Sequence, residues 1–282
     1  MELLTVSEMS LKQLSNELKL SPSIVTMHVS KLEQAQLIGS RRVRRNGGTH
    51  KLCFLLEQYI HITLPTVEQP LHSIEHVIPL GHYTDCHIQP TCGIGTWEKE
   101  LGIWDDPSYF HHPERVEAAI IWFASGYVEY RVRNRLTSSQ QVEKIEWIVE
   151  IASEAPGLRD TWLSDISFTL NHIPLGRWRS PADFGRAARG RYTPSWWHRN
   201  LNQYGLLKVI TIDHMGTYID GEWMSDVTLA DLNVYEPYWT LRLAVEEDAE
   251  HVGGLTLYGA GFGNHDQDML LRIYAKEVSD NV

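Results

Sequence analysis

Cysteine, long apolar runs and repetition are all scarce in this chain of 282 residues. Its three cysteines, Cys53, Cys86 and Cys92, are odd in number and too few for a disulfide framework. That excludes a small stapled extracellular fold and suits a reducing, cytoplasmic setting. The longest apolar run, Ala118 to Ala124, has seven residues, against the ~20 that a membrane-spanning helix requires. Glu2 follows Met1 directly, without the basic start and apolar stretch of a secretory signal. Neither an internal repeat nor a low-complexity tract is present.

Positive charge is also in deficit, with a net −11, yet it is unevenly spread. Residues 1–56 hold Lys12, Lys19, Lys31, Arg41, Arg42, Arg44, Arg45 and Lys51 against Glu2, Glu8, Glu17 and Glu33, a net +4, so the remainder carries −15. Such asymmetry suggests a basic module joined to an acidic one. All ten tryptophans lie at or after Trp97, in the acidic part.

Within the basic part, Ser10-Leu11-Lys12-Gln13 has the form of a capping box, and Leu11, Leu14 and Leu18 follow at helical spacing. Ser21-Pro22 opens a second helix, with serine as cap and proline at the first helical position. Val25, Val29 and Leu32 mark its inward face. Ser23, Thr26, Met27, His28, Ser30 and Lys31 form the other. Only Lys19 and Leu20 separate the two helices, the joint of a helix-turn-helix whose second helix can lie in a major groove. Ser40 to Arg45 then carries four arginines around Val43. Asn46-Gly47-Gly48 suits a hairpin turn because these residues tolerate positive φ. Thr49 to Leu56 reads as the returning strand. A basic hairpin in this place is a wing, whose Arg41, Arg42, Arg44 and Arg45 can reach phosphates or the minor groove. Cys53 falls on its inward side, a core position.

The segment from Leu11 to Leu52 resembles the winged helix of ArsR-type regulators. The likeness rests on the Ser-x-x-x-Val-Thr-x-His run at Ser21–His28, Lys31-Leu32-Glu33 at the helix end, and Leu37-Ile38 entering the wing. It covers only the N-terminal part of the chain. The resemblance implies double-stranded DNA as partner, a homodimer, and a further helix ahead of residue 1 that helps form the family's dimer. Either the start lies upstream or the dimer forms differently. Metal-sensing relatives carry paired cysteines near the start of the helix equivalent to 10–18. Leu11, Lys12 and Gln13 offer no thiolate, so no metal is expected there.

The remainder alternates with period two at Gly126–Arg133, Lys144–Ile151, Ile166–Leu170, Leu206–Ile212, Trp239–Val245 and Met269–Ile273, separated by turn signals. This indicates an antiparallel β-sandwich, with Pro113 to Phe123 as a candidate helix. Ser180 to Asn202 reads as a long loop, and around it gather Trp178, Asp183, Arg186, Arg191, Trp196, Trp197 and His198. Exposed indole faces stack on sugar rings or aromatic ligands, and Arg–Asp pairs fix hydroxyls or carboxylates; the same aromatics can equally plug one end of a sandwich. Asp85-Cys86-His87 with Cys92 lacks a second metal-binding pair. Gly259 to Asp266 is glycine-rich without the strand–helix context of a nucleotide loop, and reads as a tight turn. The phrases from Ser180 to Trp197 and from Asn202 to Lys208 resemble the C-terminal domain of a subgroup of ArsR-type predicted regulators, which implies an effector-sensing sandwich.

The expectation is therefore a multidomain chain: a small, mainly-α winged helix-turn-helix over 1–58, a linker over 59–70, and a mainly-β antiparallel sandwich, jelly-roll-like, over 71–282. It is expected to be a ligand-responsive transcription regulator, not an enzyme. Ser23, Thr26, Met27, His28, Lys31 and the wing arginines would contact DNA. The effector would be a small molecule, with a sugar the class the aromatics suit, and neither cofactor nor metal is called for. The rival reading is a carbohydrate-binding or carbohydrate-processing sandwich with an N-terminal docking module.

Overall fold

The structure is a computed structural model. It describes residues 3–4, 8–34, 37–45, 48–55, 72–159, 161–185 and 188–277. The chain divides into two compact units, Met1–Thr66 and Val67–Val282. The linker expected over 59–70 and the turn residues Asn46 and Gly47 lie outside the described residues.

In the first unit, β1 (Met9–Ser10) leads into α1 (Leu11–Leu18) and α2 (Pro22–Gln34), followed by β2 (Ile38–Arg45) and β3 (Gly48–Leu55). Both halves of the capping box are made: the Gln13 N–H donates to Ser10 Oγ and the Ser10 N–H to Gln13 Oε1. α1 ends at Lys19, whose φ of 53° turns the chain into the left-handed region. Ser21 Oγ accepts the Ile24 N–H and caps α2. Antiparallel β2 and β3 form the hairpin, and β1 adds to the outer edge of β3. Leu4, Leu14, Val25, Val29, Ile38 and Cys53 make one small core, so Cys53 is interior as its position implied. Leu18 is about half exposed at the end of α1.

The second unit is almost wholly antiparallel β. Its strands are β4 (His72–Ile78), β5 (Asp85–Gly95), β6 (Glu100–Leu101), β7 (Ile120–Arg133), β8 (Gln140–Ala152), β9 (Ser164–Leu170), β10 (Ile173–Ser180), β11 (Leu206–Ile212), β12 (Thr217–Ile219), β13 (Glu222–Ser225), β14 (Tyr238–Val245), β15 (Leu255–Tyr258) and β16 (Met269–Glu277). One layer runs β10-β9-β14-β7-β5-β6 and the other β13-β12-β11-β8-β16-β4. β15 hydrogen-bonds to both β7 and β8 and joins the layers along one corner. Inward residues of the layers meet in a single core, in which Trp147 of β8 packs edge-on against Phe168 of β9, ring centroids 5.6 Å apart. This is the alternating inner face of a sandwich.

Two expectations change in the fold. Pro113–Glu117 forms only a short 3-10 turn, and Ile120 begins the 14-residue β7. The run Ala119 to Phe123 looks helical because it is continuously apolar. It is continuous because both of its faces are covered: Ile121 and Phe123 face the main core, while Ile120 and Trp122 face a second cluster with Trp197, Tyr258 and Phe262. A short apolar run buried on both sides carries no period. In this unit β4, β5, β6, β10, β12, β13 and β15 lie outside the alternating segments of the sequence. The long loop is present: among the described residues between β10 and β11, the one strand-type pairing is an isolated bridge, Phe184 to Tyr204.

No helix among the described residues is long and apolar enough to cross a membrane.

Candidate nucleic-acid interface and ligand pocket

The first unit presents one polar surface. On α2, Val25 and Val29 turn into the core, while Ser23, Thr26, Met27, His28, Ser30 and Lys31 are all exposed. The 3.6-residue period and the buried partners leave that face no other orientation. Two of its hydroxyls are engaged locally: Thr26 Oγ1 donates to the Pro22 carbonyl at 2.7 Å, and Ser23 Oγ shares a hydrogen bond with Ser21. Met27, 47% exposed, and Ile24, 41% exposed, are the apolar side chains among these polar ones; such residues can meet a thymine methyl.

The wing strands differ from one arginine to the next. Arg42 is exposed and makes no ion pair among the described residues. Arg41 is bound by Glu8, whose Oε2 lies 2.7 Å from Nη2 and 3.2 Å from Nε. The side chains of Arg44 and Arg45 lie outside the described residues, though their backbone continues β2. Lys51 bridges to Glu33 at 2.8 Å, and Glu33 also accepts from Ser40 Oγ, which ties α2 to both wing strands. These bonds hold the Glu33 carboxyl below the ordinary glutamate range, with the Lys51 hydrogen bond the largest cause.

In the second unit the expected effector residues separate. Trp178 sits on β10 and packs against the main core, with the Lys208 ammonium 4.5 Å from its ring. Asp183 is buried and accepts the Arg159 N–H at 2.5 Å. Arg186 lies outside the described residues. Arg191 is exposed, its guanidinium 5.3 Å from the Tyr192 ring, and His198 is exposed. Trp196 and Trp197 do come together, but edge to face with each other and with Phe262, at 5.3 to 6.1 Å. Trp196 Nε1–H donates to the Trp97 carbonyl and Trp197 Nε1–H to that of Asn202. Trp197 is 3% exposed. The loop aromatics thus pack on the outer face of β7 and β15.

Trp197 also forms one wall of a pocket that the sequence did not reveal. This cavity of about 110 Å³ is lined by Thr91, Trp104, Asp105, Trp122, Glu154, Pro156, Trp197 and Asn202, among others. Trp104 stands edge-on to Trp122, centroids 6.0 Å apart, and is 41% exposed at the mouth. At the inner end, Glu154 Oε2 lies 3.1 Å from both Asn202 Nδ2 and Thr256 Oγ1. Glu154 Oε1 and Asn202 Oδ1 have no hydrogen-bond partner among the described residues. Burial, reinforced by the negative charges of Asp183 and Asp105, pushes the Glu154 carboxyl up to about 8. It is therefore largely protonated at neutral pH. The one sequence signal for it was a lone carboxylate among small residues, Ala152, Ser153 and Ala155.

Two other features are accounted for structurally. Asp165, Glu250 and His251 bring ligand atoms within 4.8 Å of one another, but Arg179 already bridges Asp165 at 2.7 Å and Glu250 at 2.6 Å. The open groove of about 970 Å³ between Glu75–Pro79 and Tyr130–Leu136 follows the uncovered edges of β4 and β7.

A family model described as "Bacterial regulatory protein, arsR family" matches residues 1–40. That match supports an ArsR-type helix-turn-helix at the N-terminus, the part of the chain that presents the α2 face, and it points to a regulator rather than an enzyme. No curated protein matches the chain. Among solved structures, the chain is similar to the CBM36-1 domain of a multidomain xylanase from the hindgut metagenome of Trinervitermes trinervoides, at 9% identity over 71% of this chain and 96% of that one, with a TM-score of 0.32. It is also similar to the insecticidal delta-endotoxin Cry8Ea1 of Bacillus thuringiensis, at 13% identity over 56% of this chain and 20% of that one, with a TM-score of 0.27. At these scores neither likeness carries an argument about what the second unit binds.

Proposed function

We propose that this protein is a DNA-binding transcription regulator whose β-sandwich unit senses a small molecule. The observation that carries the reading is the exposed face of α2, Ser23, Thr26, Met27, His28 and Lys31, on a helix-turn-helix of ArsR type. In this reading α2 enters a major groove and its side chains meet base edges. Lys31, Arg42 and the other wing arginines neutralise phosphates, which makes affinity fall steeply with salt. A homodimer spans two half-sites about one helical turn, roughly 34 Å, apart. Effector bound to the sandwich changes DNA affinity, and DNA changes effector affinity by the same factor.

The test is binding of the full chain to the DNA upstream of its own gene and to a random duplex, each at two salt concentrations. A preference of ~10³ or more for the upstream DNA is expected of a regulator. Absence of binding to either duplex at low salt overturns the reading.

A further inference from the structure

Glu154 and Asn202 form a matched pair at the inner end of the tryptophan-lined pocket. Oε2 of Glu154 is the oxygen that faces donors, Asn202 Nδ2 and Thr256 Oγ1. When the carboxyl is protonated, its hydrogen therefore sits on Oε1, the oxygen left without a partner among the described residues. Asn202 spends its amide hydrogens on Glu154 and on Thr256 Oγ1, the latter at 2.6 Å, which leaves Oδ1 as an acceptor. The pocket thus offers one donor and one acceptor from side chains hydrogen-bonded to each other, beneath the indoles of Trp104 and Trp122.

We infer that this pocket binds a neutral hydroxylated ring, such as the terminal residue of a sugar, with a ligand hydroxyl held between Glu154 and Asn202 and the apolar ring face against Trp104. A hydroxyl donates and accepts at once and satisfies both groups. An ammonium donates only, so it leaves the Glu154 O–H unpaired. An anion meets the negative charge of Asp105 in the pocket wall. The volume of about 110 Å³ is that of three to four waters at roughly 30 Å³ each. It admits one edge of a ring, with the remainder lying over the exposed face of Trp104. The inference takes up the effector half of the proposed function and does not depend on the DNA half.

The test is tryptophan fluorescence of the full chain, titrated with D-glucose, D-xylose, D-galactose and N-acetyl-D-glucosamine, and in parallel with D-glucuronate and tetramethylammonium. Titrations at about pH 6 and about pH 9.5 bracket the Glu154 ionisation. Saturable binding of at least one neutral sugar is expected. Trp104→Ala, at the surface, should weaken it about tenfold or more. Ionisation of Glu154 should also weaken it at the higher pH, whereas Glu154→Gln, which keeps a donor on the free side, should abolish that pH dependence. A cation that binds better than the sugars, and tighter at high pH, overturns the inference. So does sugar affinity unchanged in Trp104→Ala, or no saturation by any neutral sugar while circular dichroism shows the sheet intact. Sugar binding with no effect on DNA affinity keeps the pocket and overturns only its coupling to DNA.

Discussion

Lys208 and Asp220 meet at 2.7 Å with both side chains almost entirely buried, and the indole of Trp178 closes over the ammonium at 4.5 Å. Asp220 also accepts the Val209 N–H at 3.0 Å and takes a φ of 51° at the turn into β13. One aspartate therefore neutralises a buried lysine, ends a backbone ladder and makes a turn. Trp178, which the sequence placed among effector residues, has one ring face occupied by Lys208. Removing one partner of such a buried pair costs about 3–5 kcal/mol. Asp220→Ala should lose this much in urea unfolding of the full chain. Asp220→Asn, which tolerates the left-handed turn, should separate charge from geometry, and the double variant Lys208→Met/Asp220→Asn should recover most of the loss. A double variant no more stable than Asp220→Asn would show that the charge pair is not what the site requires.

Glu154 makes stability depend on pH in a defined direction. Its carboxyl is raised from an ordinary value of 4.5 to about 8, chiefly by burial. Between those values the unfolded chain releases the proton and the folded chain keeps it, so folding stability falls as pH rises through this window and levels off above it. Glu154→Gln imitates the protonated acid at every pH. The wild type should match that variant in melting temperature near pH 4 and fall progressively behind it toward pH 9. A constant difference across the range would mean that Glu154 ionises in the folded chain as it does in the unfolded one.

The legible parts of the fold are those with one covered face. β8 reads clearly because Ile145, Trp147, Val149 and Ile151 alternate with less buried residues. β5 does not: it contains Pro90, Gly93 and Gly95, and its pairing with β7 shifts register between Gln89 and Cys92. A bulge breaks the period on which such a reading depends. β4, lying at an edge with Ser73, Glu75 and Val77 exposed, shows too little apolar character to stand out. The exposed polar residues of α2 were legible because a local cap and a short helical period define them, while the exposure of Ile24 was not. The pocket was not, because Trp104, Glu154 and Asn202 come from three distant segments that only the folded sheet brings together. Trp196 and Trp197 were legible as a group, yet composition does not reveal that they pack edge to face on each other and on Phe262.

The ion pair between Arg41 and Glu8 bears on DNA binding. Arg42 and Lys31 are exposed without an ion pair among the described residues, whereas Arg41 is held by Glu8 at 2.7 Å. Each phosphate contact contributes about 0.9 to the slope of log affinity against log salt. Lys31→Ala and Arg42→Ala should each lower the slope by about that amount and weaken binding to all sequences alike. Arg41→Ala should change it less. Glu8→Ala should do the reverse, freeing Arg41 and strengthening salt-sensitive binding. Thr26→Ala and His28→Ala should leave the slope alone and relax the preference for the upstream DNA. Equal slopes in Lys31→Ala, Arg42→Ala and wild type would remove both residues from the interface.

Glu150 anchors the two loops that border the second aromatic cluster. It is 2% exposed and accepts three backbone N–H groups: from Gly205 at 2.9 Å, Asn264 at 2.8 Å and His265 at 2.9 Å. A Cβ at Gly263 would stand 2.3 Å from Glu150 Oε1, so the glycine-rich turn is shaped around this carboxylate. Hydrogen bonds to a charged group contribute about 1.5–3 kcal/mol each, and stranding a buried donor costs a similar amount. Glu150→Ala leaves three such donors and should destabilise the second unit by about 3 kcal/mol or more. Glu150→Gln, with one acceptor oxygen, should fall between it and wild type. Hydrogen exchange distinguishes a local from a global effect: amide protection at Gly205, Asn264 and His265 should collapse in Glu150→Ala while that of Ile148 and Leu271, in the paired centre of β8 and β16, falls only by the global loss. Unchanged protection at those three amides would show that the loops are held by their aromatic packing alone.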